Sequence, residues 1–367
     1  MLSDAYLILE NGAIFKGRSF GYDAEAIGEL VFTTGMTGYL ETLADPLYFG
    51  QIVLQTFPLI GNYGVIPSDF GSGPAHLKAY IVRDWCKEPS NFRSEGNLDS
   101  FLREKMIPGL YGIDTRALTH VIRENGVMNA MISKSPELSD EGWDRLRAYK
   151  ITDAVSQCAM RNAECRINSA FRVTKTTLKI VVWDFGDGHQ LVRKLQALGC
   201  EAVIAGHDTT ADDVMAYDPD GVLLSGGPGD PSENTSIIGE IKKMSNTDIP
   251  ILAVGLGHQM LALAHGAETV KLLFGHHGSN QPVSECGTKR VFVTKQNHGY
   301  AVSTDSLPDG AVISYVNSGD GTCEGIEYAD NGVPAFSVQF DPTDEVFDKF
   351  LTQISVHNER TEPYAAE

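Results

Sequence analysis

The stretch Ile249-Pro250-Ile251-Leu252-Ala253-Val254-Gly255-Leu256-Gly257-His258-Gln259 has a spacing from which chemistry is expected. Its apolar run breaks at a Gly-x-Gly corner and resumes as a helical pattern, Gln259-Met260-Leu261-Ala262-Leu263-Ala264. Strand, sharp turn and helix in that order predict a nucleophile elbow, which lifts one side chain above a sheet edge and aims it at a helix N-terminus. The lifted residue should be Cys or Ser. Here it is Gly255. The turn of a hydrolase is spelled out without its nucleophile.

Other candidate groups read more plainly. Ser225 also follows a short apolar run, but it opens the turn Ser225-Gly226-Gly227-Pro228-Gly229 and is expected to serve that turn. Cys286 and Cys323 lie away from the elbow in sequence and are expected to be buried thiols. His258, His276 and His277 lack a third ligand at metal-binding spacing, so hydrogen-bonded structural roles are expected, and no metal.

An elbow needs a sheet to stand on. Residues 178–183 form a buried-strand run, a helical pattern follows near 190–198, and 221–225 and 250–254 are further short strands ending at glycine-rich turns. Alternating strands and helices of this kind predict an α/β fold, an open, mostly parallel sheet with helices on both faces. Ligands bind such sheets at the carboxyl ends of the strands, where these motifs fall. The first third is mixed α and β: a hairpin across Asn11-Gly12, strands at 28–34 and 51–57, and helical spacing at 98–105 and 115–125, with Asp114 as N-cap of the second helix. Between 156 and 177 polar and basic residues (Arg161, Asn162, Arg166, Arg172, Lys175) displace the apolar periodicity. The expected division is a domain over 1–155, a linker over 156–177 and a domain over 178–367.

The chain has 367 residues, enough for two domains with full cores. A net charge of −19 argues against a nucleic-acid partner, which calls for a clustered basic face. The six cysteines form no CxxC pair and suit free thiols in a reducing compartment. No apolar stretch approaches the roughly 20 residues needed to span a bilayer. The amino terminus lacks a secretory pattern, so a cytoplasmic protein without membrane contact is expected.

Several blocks together resemble the small, glutamine-hydrolysing subunit of carbamoyl-phosphate synthetase. In the first domain they are Thr34-Gly35-Met36-Thr37-Gly38-Tyr39, Asp45-Pro46, Gly50-Gln51-Ile52-Val53, Pro58-Leu59-Ile60-Gly61-Asn62 and Gly112-Ile113-Asp114-Thr115-Arg116. In the second they are Leu224-Ser225-Gly226-Gly227-Pro228-Gly229-Asp230-Pro231, Leu256-Gly257-His258-Gln259, Phe274-Gly275-His276-His277-Gly278 and Gln296-Asn297-His298-Gly299-Tyr300. The order is the family's, and the likeness covers nearly the whole chain.

The resemblance implies a small-subunit domain followed by a class I amidotransferase-like domain, docked on a large subunit to which ATP and Mg would belong. No cofactor is expected on this chain. The family hydrolyses glutamine with an elbow Cys, a His and a Glu, and passes the ammonia through an internal tunnel. The thiolate attacks the amide, the His moves the proton to the departing ammonia, and the carboxylate orients the His. In this chain the corresponding positions are Gly255, Asp341 and Thr343, the last two within Ser337-Val338-Gln339-Phe340-Asp341-Pro342-Thr343. Losing a catalytic nucleophile costs about 10⁴- to 10⁶-fold in rate. Leu47 replaces a glutamine-contacting Ser, Ala253 replaces a glycine, and Asp184-Phe185-Gly186-Asp187-Gly188-His189-Gln190 lacks the usual basic residue. The family's remaining glutamine-pocket positions correspond to Gly227, Gly229, Leu256, Gln259, Asn297, Gly299 and Tyr300.

Three functions compete on this reading. One is a catalytically silent structural or regulatory partner of an ammonia-using large subunit. The second is a working glutaminase supplying ammonia for carbamoyl phosphate in arginine and pyrimidine synthesis. The third is a glutamine-sensing binding module.

Overall fold

The computed structural model describes residues 3–67, 75–162, 177–328 and 334–361. The chain divides into two compact units, with the first break between Ala154 and Val155.

The first unit is built on β1 (Asp4–Leu9), β2 (Ile14–Gly21), β3 (Ala26–Thr33), α1 (Tyr39–Ala44), β4 (Gln51–Gln55), β5 (Leu59–Ile60), β6 (Ala79–Val82), β7 (Asp84–Trp85), α2 (Leu98–Glu104), β8 (Pro108–Tyr111), α3 (Thr115–Asn125), β9 (Met128–Ser133) and α4 (Asp140–Ala148). Seven strands close a barrel in the order β1-β2-β8-β6-β4-β3-β9. The Asn11-Gly12 corner forms as expected, with Asn11 Oδ1 accepting the Ala13 N–H at 3.0 Å. Asp114 caps α3 by accepting the Ala117 N–H at 3.0 Å. Leu118 and Ile122 of α3 are fully buried in one cluster with Leu7, Leu30, Ile52 and Ile81 of the barrel. Each such side chain stabilises the unit by about 1.5–3 kcal/mol.

One segment lies where the sequence did not place it. Leu272–Asn280, expected within the second domain, groups with the first unit. Val127 donates to the Leu273 carbonyl at 2.7 Å and Thr34 to that of His277 at 3.3 Å. Phe274 packs 5.9 Å from Phe32, and Arg123 lies over its ring. Backbone pairing and an aromatic contact fix this membership.

After α5 (Ala154–Asn162) come β10 (Lys179–Trp183), α6 (Gly188–Ala197), β11 (Glu201–Ala205), α7 (Ala211–Met215), β12 (Gly221–Leu224), α8 (Thr235–Met244), β13 (Ile251–Val254), α9 (Leu256–Ala264), β14 (Thr269–Glu285), β15 (Val291–Val302), β16 (Ala311–Asn317), β17 (Cys323–Tyr328), β18 (Ala335–Val338) and α10 (Asp344–Thr361). The expected linker therefore opens as a helix, and its residues 163–176 lie outside the described residues. The nine strands run in the order β11-β10-β12-β13-β18-β17-β16-β14-β15. From β11 to β18 all neighbours are parallel, and from β18 through β17 and β16 to β14 they are antiparallel.

Alternation on the parallel strands sorts the core into two layers. Val181, Trp183, Val222, Leu224, Ile251 and Ala253 pack with residues of α7, α8 and α9. Ile180, Val182, Leu223, Leu252, Val254 and Val338 pack with those of α6 and α10. Helices thus cover both faces of the parallel half. No helix among the described residues is long and apolar enough to cross a membrane.

Candidate active site

β12, β13 and β18 lie side by side, with Leu224 opposite Ala253 and Val254 opposite Val338. Being parallel, they end at one edge, and the chain turns there into Gly226–Gly229, Gly255 and Asp341. Gly255 has φ 55° and ψ −114° and directly precedes α9. Its N–H donates to the Val338 carbonyl at 2.9 Å. A side chain in this conformation costs about 1–3 kcal/mol of strain. Space is not the obstacle: a Cβ built here would stand 3.4 Å from Gly226 Cα and 4.0 Å from the Gln339 carbonyl oxygen. The elbow is formed, with backbone angles that glycine adopts without a Cβ penalty, and it is open above.

Two residues away the packing is the opposite. A Cβ on Gly257 would lie 2.7 Å from the Leu224 carbonyl oxygen and 2.8 Å from that of Ser225. Gly257 donates instead to the Ser225 carbonyl at 3.0 Å, clamping α9 against the end of β12.

Asp341 and Thr343 follow β18. The Asp341 carboxylate lies 2.9 Å from Lys295 Nζ, with both side chains about half exposed. The Asp341 N–H also donates to the Lys295 carbonyl at 3.0 Å. Thr343 offers its carbonyl to the N–H groups of Val346 and Phe347, at the start of α10. The residues expected at the nucleophile and base positions are thus a glycine and one half of a lysine ion pair, while the residue expected at the third position serves a helix terminus. Sequence reasoning missed Lys295. Its only signal was its place just before the Gln296-Asn297-His298 block.

Beneath the elbow the polar groups are buried and matched. Ser337 Oγ lies 2.7 Å from His258 Nδ1 and donates to the Ile326 carbonyl at 3.3 Å. The other ring nitrogen, Nε2, is buried and meets no hydrogen-bond partner among the described residues. Complete burial drives the His258 pKa down to about 3 and keeps the ring neutral. The expected structural role of His258 is what the bonds provide. Gln259 donates through Nε2 to the Tyr300 carbonyl at 2.6 Å and to Gln339 Oε1 at 2.8 Å. Gln339, also missed in the sequence, thereby joins this buried network.

The other expected pocket residues divide between packing and exposure. A Cβ on Gly227 would fall 2.3 Å from the Phe185 carbonyl oxygen, so close packing alone requires glycine there. Gly229 turns with φ 93°. Leu256 is buried at the first helical position, where its N–H has no helical carbonyl to meet. Asn297, Gly299 and Tyr300 lie on β15, and the space over Gly299 is open. Leu47 belongs to the first unit, in a short helical turn whose Asp45 carboxylate accepts its N–H at 2.9 Å. His276 and His277, both buried, belong to that unit as well, the His277 ring 5.9 Å from that of Tyr48.

No replacement nucleophile stands out among the described residues. Ser225 is fully buried and serves its turn, its hydroxyl accepting the Phe185 N–H and donating to the Gly226 carbonyl, each at 2.8 Å. Cys323 is buried and its thiol is pushed up to about 12, the reverse of activation. Cys286 was expected to be buried and is exposed, because it follows the end of β14 at a surface turn. Burial of part of its surroundings raises its thiol too.

The class I glutamine amidotransferase model covers residues 181–345, and the CPSase domain model of the carbamoyl-phosphate synthase small chain covers 7–132. A carbamoyl phosphate synthase small chain from Clostridium perfringens is 42% identical over 355 residues, 95% of this chain and 98% of that one. Another from Bacillus caldolyticus is 42% identical over 366 residues, 97% and 98% of the two chains. Among solved structures, a glutamine amidotransferase from Thermotoga maritima has a TM-score of 0.35 at 16% identity, covering 50% of this chain and 85% of that one. The second unit is of the class I glutamine amidotransferase type. The chain as a whole belongs to the carbamoyl phosphate synthase small chain family.

Proposed function

We propose that this small-chain homologue does not hydrolyse glutamine and acts as a structural or regulatory partner of a large chain that uses free ammonia. The observation that carries the reading is Gly255, a formed elbow with room for a side chain and none present. The Lys295–Asp341 ion pair supports it, because the group at the base position is committed to a lysine. Hydrolysing an unactivated amide near neutral pH needs a thiolate and a proton carrier together, and neither is in place. The partner is proposed from the relatives' name and their full-length match.

The test is to mix the purified chain with a large chain and measure association and glutamate release separately. Complex formation with ammonia-dependent, glutamine-independent carbamoyl phosphate synthesis is the expected result. Glutamine turnover at an ordinary enzymatic rate would overturn the reading in favour of a working glutaminase.

A second reading, glutamine binding without hydrolysis, draws support from the intact turn at Gly227–Gly229 and the free first-turn amide of Leu256. Titration calorimetry decides it. A saturable heat with glutamine supports a sensing role, and none at millimolar concentration removes it.

A further inference from the structure

A groove of about 700 Å³ opens at one end of the barrel in the first unit, far in sequence from the elbow. Lys16, Gly17 and Arg18 of β2, Arg83 and Asp84 after β6, and Tyr111 to Asp114 after β8 line it, together with Asp4. Arg18 stands opposite Tyr111 in the β2–β8 ladder, and Val82 stands opposite the same Tyr111 in the β6–β8 ladder. Arg18 and Arg83 therefore flank the end of β8, two strand spacings apart, or about 10 Å between backbones. Both are exposed and line the same groove.

The charges of the groove are unequally engaged. Lys16 is taken by Asp4 at 2.6 Å. Asp114 caps α3, and Asp84 accepts the Trp85 N–H at 2.9 Å. Among the described residues neither guanidinium forms a hydrogen bond or a close ion pair, and the Asp4 carboxylate, held by Lys16, adds a longer-range attraction to Arg18. Two like charges held at one strand end repel each other, and an anion between them offsets that repulsion. Gly112, at φ 79°, leaves the rim beside them open: a Cβ there would meet nothing within 4 Å. The volume falls within the range of about 300–1,000 Å³ typical of small-molecule sites, and a planar guanidinium fork matches phosphoryl and carboxylate oxygens.

We propose that this groove binds a small dianion, a phosphoryl compound or a dicarboxylate, between Arg18 and Arg83. The proposal stands apart from the fate of the elbow and holds whether or not the chain hydrolyses glutamine. Its test is titration calorimetry on the full chain in a low-salt, phosphate-free buffer, with inorganic phosphate and glutarate as the two probes. One saturable site is expected, weakened about tenfold by Arg18→Gln and likewise by Arg83→Gln, and unaffected by Arg123→Gln. Added KCl should weaken it further. The tighter of the two probes assigns the ligand class. Neither probe binding the wild-type chain, or undiminished binding in the double variant R18Q/R83Q with its circular dichroism intact, would overturn the proposal.

Discussion

Above and below the turn at Gly255, side chains answer to different demands. Below it, Gly257, His258, Gln259, Ser337 and Gln339 are packed or bonded to one another, and a single added atom at Gly257 would strike two carbonyls. Above it, Gly255 faces open space and Asp341 reaches to Lys295 near the surface. Burying unpaired polar groups is expensive, so the lower layer must be complete for the sheet and α9 to pack at all. The upper layer contributes little to folding. It is needed only for a reaction. The backbone of an elbow can therefore form whatever side chain stands above it.

The sharpest way to break this comparison is to refit the upper layer. Gly255→Cys, Asp341→His and Thr343→Glu together should raise glutamate release from glutamine by about 10⁴-fold over the wild-type background. A triple variant as silent as the parent would move the deficit into the pocket or backbone. The next effect concerns the lower layer and acid. A free histidine titrates near 6.5, whereas folded His258 does so at about 3, so between these values the unfolded chain binds a proton that the folded chain refuses. Stability should fall as pH drops through that window, by up to about 1.4 kcal/mol per pH unit, and gain nothing from this group above it. Urea midpoints against pH read the slope, and His258→Gln should remove one proton's share of it. Gly257→Ala should then cost about 3 kcal/mol or more in chemical denaturation, against about 1–3 kcal/mol of strain alone for Gly255→Ala. Equal costs would erase the distinction between layers. Smallest of all, Lys295→Ala should change stability by less than about 0.5 kcal/mol, as befits a half-exposed ion pair.

Local signals proved readable, and non-local ones did not. The Asn11-Gly12 corner, the Asp114 cap and the strand before Gly255 are dictated by residues adjacent in sequence, and each formed as expected. The antiparallel extension β17-β16-β14-β15 was not separable from the parallel half, because pairing partners are chosen across the chain and leave no periodic mark. β14 shows why. Its residues divide between the two units, so no single face of it alternates from end to end. Within the site, Gly255 and Asp341 could be found from motif register, while Lys295 and Gln339 became visible only when folding brought them to Asp341 and Gln259.

The placement of Leu272–Asn280 has a consequence for how the chain is made. Every other described strand of the first unit has been synthesised by Ser133, yet the unit is complete only when Asn280 has emerged. At about 5–20 residues per second, a ribosome spends many seconds on that interval. Throughout it Phe32 lacks its partner ring and the Val127 N–H lacks its acceptor. A protein whose early half waits for a late segment should be open to capture by chaperones during translation, and severing it between the units should leave the first half unfinished rather than free.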